Sequence, residues 1–187
     1  MKKISIEQKF DTDLATLLRA REERYRHLDK FPELKNVTIV SEERQDQLLK
    51  QVRHIHLGTS IPAILIPLLP NGADTLVESS TFDQLDNTHR FEVIPDGGHD
   101  NIFKITGISR YYELEPNLSA RNYEIEIKSR ALFIGGGVEA AIGEIYSQNL
   151  KKDQKSIEHF IKDLLAADGE SSSTVEDINP SGASHHG

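Results

Sequence analysis

His54 and His56 are the pair whose spacing most invites chemistry. Side chains two apart on a strand share a face, so both imidazoles could converge on one metal ion with a third ligand from a neighbouring strand. No third ligand can be named, and the His-Glu-x-x-His pattern of a helical zinc site is absent. Two ordinary histidines are the simpler reading, so no metal or other cofactor is assigned. Gly135-Gly136-Gly137 ahead of a helical stretch offers backbone N–H groups to an anion, but no Lys-Ser/Thr pair follows. It reads as a tight strand-to-helix turn, with Glu139 complementing the helix dipole and repelling phosphate. Asp86-Asn87-Thr88-His89-Arg90 and His99-Asp100 set acids near imidazoles, yet both are turn-like and polar. No nucleophile elbow or paired carboxylates emerge, and the absence of cysteine excludes disulfides and thiolate catalysis. No catalytic residue is named.

The elements around these residues are legible from periodicity. Lys3 to Phe10 alternates as a first strand, and Asp11-Thr12-Asp13 caps a helical pattern through Leu14, Leu17, Leu18, Tyr25 and Leu28 that Pro32 ends. Two short helices or one bent helix are expected there. Val37 to Gln45 and Gln47 to Leu57 form a hairpin about Asp46; Thr75 to Phe82, Thr88 to Ile94 and Ile102 to Glu113 follow as strands. Tyr123 to Phe133 is the last strand, with Tyr123, Ile125, Ile127 and Phe133 on one face. Past the glycines the spacing turns helical, through Val138, Ala141, Ile142 and Ile145, then Ile157, Phe160, Ile161, Leu164 and Leu165. The middle of that helix, Ser147 to Ser156, holds only Leu150 as an apolar residue. Such a long helix needs a wide apolar surface, which a curved antiparallel sheet supplies.

The formal charge of -8 argues against nucleic-acid binding through a broad basic face. The basic stretch Arg19 to Arg26, broken by Glu22 and Glu23, reads as a solvated helix face. No run is long and apolar enough for stable membrane insertion and Ile4 to Phe10 lacks a signal-peptide core, so a cytoplasmic protein is expected. One domain over residues 1–167 and a disordered polar tail over 168–187 are expected. Oligomeric state is left open.

A strand, a helical excursion, about six further antiparallel strands and a long terminal helix resemble the helix-grip fold of the START/Bet v 1-like (SRPBCC) superfamily, an α+β architecture. Tyr123-Glu124-Ile125-Glu126-Ile127-Lys128, followed by Ala131-Leu132-Phe133-Ile134-Gly135-Gly136-Gly137-Val138-Glu139 and Ile142, is similar to a little-characterised bacterial branch of unknown function. Ile61-Pro62-Ala63 before Leu68-Leu69 is similar to that branch's link between its third and fourth strands. The polar mid-helix and the added tail depart from its pattern. The resemblance implies a deep space between sheet and helix for lipids, sterols, polyketides or other hydrophobic small molecules.

Ile125, Ile127, Ile142, Ile145, Tyr146 and Asn149 are the expected ligand-binding wall, and Asn149 would need polar partners if it points inward. Ile61 to Leu69, crowded with Ile64, Leu65 and Leu68 between prolines, is expected as a lid over one end. The leading expectation is a non-enzymatic carrier or sensor. The alternatives are a cyclase or hydratase in which His54, Asn149 or Tyr146 orients a substrate, and a structural or partner-binding module with a filled core.

Overall fold

Alternation builds the sheet, and hairpin chemistry sets its order. The computed structural model of the protein describes residues 1–69 and 74–173. Its strands are β1 (Lys2–Phe10), β2 (Val37–Gln45), β3 (Leu48–His56), β4 (Thr75–Asp83), β5 (Thr88–Pro95), β6 (Lys104–Glu115) and β7 (Leu118–Lys128), with helices α1 (Leu14–Glu23) and α2 (Gly135–Ser173). The strands form one antiparallel sheet in the order β1-β7-β6-β5-β4-β3-β2. Asp46, Asn87 and Asn117 take positive φ in the tight connections, where short polar side chains tolerate the left-handed region.

Asp13 caps α1 by accepting the N–H of Thr16 at 2.9 Å. Two 3-10 turns, Arg24–Arg26 and Pro32–Asn36, complete the excursion between β1 and β2. The long helix crosses the sheet's inner face and buries Val138, Ile142, Leu150, Ile157, Phe160 and Ile161. Its helical turns extend to Ser173, past the expected boundary at 167, and residues 174–187 of the expected tail lie outside the described residues.

The last strand is corrected at its end. β7 stops at Lys128, and residues 129–134 turn into α2. Phe133 is fully exposed at φ 66°, and Leu132 is 82% exposed. Ser129 causes the stop: its N–H donates to Glu139 at 3.0 Å and its hydroxyl donates to the Ile102 carbonyl at 2.6 Å. The first bond anchors the turn to α2 and the second to the segment before β6. Neither continues the ladder.

Candidate functional site

On the inner face, one apolar cluster fills the space beneath the N-terminal half of α2. It joins Ile125, Ile127 and Tyr123 of β7, Ile105 of β6, Phe91 and Val93 of β5, and Val138, Ile142 and Leu150 of α2. The Ile61–Leu69 segment is its roof, with Leu65 and Leu69 buried and Ile61, Ile64 and Leu68 packed against the cluster. Prolines prevent a regular helix there, and the chain folds into turns tied by the Leu65 N–H to the Pro62 carbonyl at 2.8 Å. Two glycines permit close approach. A Cβ at Gly137 would lie 2.9 Å from Ile64 Cδ1, and one at Gly107 would lie 2.2 Å from the Phe91 ring. Phe91 lies parallel to Tyr146 with centroids 6.3 Å apart, and edge-on to Tyr123.

A second apolar cluster, around Phe10, Leu17, Phe31, Leu49, Phe82, Tyr111, Ile157 and Phe160, lies beneath the C-terminal half of α2 and α1. Polar side chains run between the two clusters on strand after strand. On β1, Gln8 separates Ile6 from Phe10; on β3, Gln51 and Arg53 separate Ile55 from Leu49; on β4, Glu78 and Ser80 separate Leu76 from Phe82. His89 sits beside Phe91 on β5, Ser109 beside Tyr111 on β6, and Arg121 beside Tyr123 on β7. On α2, Asp153 falls between Leu150 and Ile157. From the excursion after β1, Arg21 and Arg24 enter the same layer, 7% and 2% exposed.

Asp153 is the hub of this belt. Its carboxylate pairs with Arg24 and, at 2.9 Å, with Arg121 Nη2, while Arg24 Nη1 donates to the Asp153 carbonyl at 3.3 Å. Gln8 accepts from Arg121 Nε at 3.0 Å and donates to the Leu150 carbonyl at 2.9 Å, so β1, β7, α2 and the first 3-10 turn meet here. Burial alone would raise the Asp153 carboxyl, but Arg24 and Arg121 outweigh it and hold the group below the usual carboxylate range. Tyr111 shows the same competition: burial opposes ionisation, yet Arg121 and Arg21 bring its phenol below the ordinary value. Tyr123 and Tyr146 are pushed well above it, chiefly by burial.

The other end of the belt is less well paired. Arg53 donates to Gln51 at 2.6 Å and to the Tyr25 hydroxyl at 3.3 Å, and comes no closer than 3.9 Å to Glu78. Burial raises the Glu78 carboxyl against the pull of Arg53, and its Oε1 has no hydrogen-bond partner. His89 Nε2 and Ser109 Oγ, on residues directly opposed in register, are likewise buried without partners. Burial holds the His89 imidazole well below its ordinary value, with Arg21, Arg53 and Arg121 reinforcing the effect.

The expected wall residues divide. Ile125, Ile127, Ile142 and Leu65 are buried in the roofed cluster, with Ile64, Leu68 and Tyr146 packed against it. Ile145 is half-buried outside that cluster, and Asn149 is exposed. The inward row of α2 advances through 138, 142, 146 and 150 in steps of four, which rotates position 149 onto the flank. His54 projects from the outer face, opposite in parity to Leu49 and Gln51, and so cannot serve an interior site. The solvated-face reading of Arg19 to Arg26 is overturned at Arg21 and Arg24. Spacing could have shown this: 17, 20, 21 and 24 fall on one helical side, and Leu17 and Ala20 are fully buried. Arg121 escaped notice because it precedes the expected strand start, although it is in phase with Tyr123, Ile125 and Ile127.

Two depressions, of about 810 and 340 Å³, lie on the sheet's outer face, and neither is the enclosed space that the resemblance implies. The larger is open and lined in part by charged side chains, including Lys3, Glu92, Glu124 and Glu126. Glu92 is paired with Lys104 at 2.6 Å and Glu124 with Arg110 at 3.2 Å. Among the described residues, no helix is long and apolar enough to cross a membrane.

No family model and no curated protein matches the chain. Solved structures do. The Zhui aromatase/cyclase from Streptomyces sp. R1128 superposes with a TM-score of 0.58 at 10% identity, covering 86% of this chain and 93% of that one. Norcoclaurine synthase from Thalictrum flavum gives 0.58 at 11% identity, covering 86% of each chain. A START superfamily protein from Mycobacterium smegmatis gives 0.54 at 13% identity, covering 87% of this chain and 98% of that one. This chain has the helix-grip fold. In that fold the sheet curves around the long C-terminal helix, and the interior described above is the space they enclose. The buried belt occupies the middle of the helix grip.

Proposed function

We propose that this helix-grip protein binds a hydrophobic small molecule between sheet and α2, as a carrier or sensor, and that it belongs to the bacterial branch its glycine turn resembles. The observation that carries the binding reading is the roofed cluster. Ile125, Ile127, Ile142 and Tyr146 face the 61–69 segment, a stretch of turns rather than a helix or strand. Small-molecule sites are concave and mostly apolar, with a few placed polar groups. Here the aromatic side chains of Phe91, Tyr123 and Tyr146 lie where the apolar cluster meets the belt. The guest reaches the cluster by displacing the roof, whose Ile66 is already 61% exposed.

Native mass spectrometry of protein purified from its own host tests this reading, with a bound apolar species as the expected result. A panel of lipids and aromatic compounds should also raise the melting temperature, because ligands that bind only the folded state stabilise it. Absence of any bound mass together with no thermal shift across the panel overturns the reading.

A further inference from the structure

The belt holds more positive charge than it can neutralise. Arg21, Arg24, Arg53 and Arg121 face two carboxylates, Asp153 and Glu78, in a layer where no arginine side chain is more than 13% exposed. Asp153 is taken by Arg24 and Arg121. Glu78 makes no hydrogen bond to Arg53 through its nearer oxygen, and burial favours its protonated form. Arg21 stacks on the Phe82 ring at 4.2 Å, and its nearest carboxylate is Glu22 at 3.6 Å, which also serves Arg44 at 3.2 Å. Arg21 and Arg53 are thus left with only long ion pairs, to Glu22 and Glu78, a costly arrangement for buried cations. It persists in a chain whose formal charge is -8.

Orphaned polar atoms lie on three strands of this layer. Arg53 Nε, His89 Nε2 and Ser109 Oγ are all buried without a hydrogen-bond partner. His89 stacks on Phe91 at 5.4 Å, and Phe91 stacks on Tyr146 in the roofed cluster. Unfilled donors thus adjoin the aromatic end of the apolar region.

We infer that the guest is an amphipathic acid: its apolar body lies in the roofed cluster and its single anionic head, a carboxylate or phosphate monoester, is received by Arg53, Arg21 and His89. The inference rests on the binding reading above and adds the chemistry of the head group. An acid supplies the missing negative charge and fills the idle donors, whereas the corresponding alcohol does only part of the second. Asp153 with Arg24 and Arg121 remains a structural clamp.

Isothermal titration of the full chain with matched probes decides it: dodecanoate, dodecyl phosphate and dodecanol, and 2-naphthoate against 2-naphthol. In at least one series the acid should bind about ten- to a hundredfold more tightly than its alcohol, the range expected for hydrogen bonds to charged groups. The two acids of the alkyl series tell a carboxylate site from a phosphate site. Arg53→Gln should bring acid and alcohol to near parity by weakening the acid far more than the alcohol; Arg21→Gln provides the same test if that variant does not fold. Equal binding of acid and alcohol by the unmodified protein overturns the inference and leaves apolar binding standing. Failure of every probe to bind overturns both.

Discussion

The roofed cluster and the belt beside it are built on opposite principles. Beneath the N-terminal half of α2 the roofed cluster is almost wholly hydrocarbon and aromatic, held by area and shape, which are non-directional. In the belt, a layer of comparable burial is held by directed charge, with Asp153 fixed by two arginines and Arg121 by Gln8. The first arrangement tolerates sliding and repacking. The second tolerates very little, because a buried charge that loses its partner cannot regain water.

The largest expected effect breaks the comparison on the belt side. Asp153→Ala leaves Arg24 and Arg121 buried without their carboxylate and should cost about 3–5 kcal/mol by urea denaturation. Replacing all three together by apolar residues, Arg24→Met, Arg121→Met and Asp153→Leu, should recover most of that loss. A triple variant no more stable than the single one would show that the clamp is more than compensated charge. On the apolar side, Ile127→Ala should cost about 2–5 kcal/mol, an effect that grows with the cavity left behind. Gly107→Ala drives a methyl group into the Phe91 ring and should cost about 1–3 kcal/mol, with Phe91→Leu in the same chain relieving most of it.

Acid separates the belt from the apolar cluster again. His89 is held below its ordinary 6.5 by burial and by Arg21, Arg53 and Arg121, so the unfolded chain takes up this proton first as pH falls. Stability from this group is present above about pH 6.5 and declines below it, by at most about 1.4 kcal/mol per pH unit. Glu78, whose folded value is raised, acts with the opposite sign. Denaturation midpoints of the protein and of His89→Gln at about pH 7 and about pH 5 isolate the histidine, and the variant should show the shallower slope. The Asp153 contribution goes at lower pH, as its depressed carboxyl protonates below the ordinary 3.8. The smallest effect lies outside both regions: Phe133→Gly at φ 66° relieves a left-handed backbone without removing any buried area, and should stabilise by about 1 kcal/mol.

The sheet and the apolar wall were legible in the sequence because alternation and helical spacing report which side chains avoid water. Tyr123, Ile125, Ile127, Val138 and Ile142 show their inward phase that way, whereas Leu65, buried in the same cluster, stands out only by its crowded place between prolines. The belt was illegible for the same reason. A hydrophobicity pattern reads Arg21, Arg24 and Arg121 as exposed, although each shares a phase with buried neighbours. The polar centre of α2 was the one hint of it, and only the fold shows that Asp153 there answers arginines far away in sequence. Phe133 failed in the other direction, as an apolar residue in phase with Ile127 that the hydrogen bonds of Ser129 turn out of the strand.

The belt also acts as an alignment key during assembly. Nearly every strand carries an inward polar tooth, directly opposed for Gln8 with Arg121, Ser109 with His89 and Ser80 with Gln51, and stepped by two residues from β7 to β6 and from β5 to β4. A slip of one residue turns a tooth outward, and a slip of two presses it into oil, so misaligned hairpins are penalised before the long helix docks.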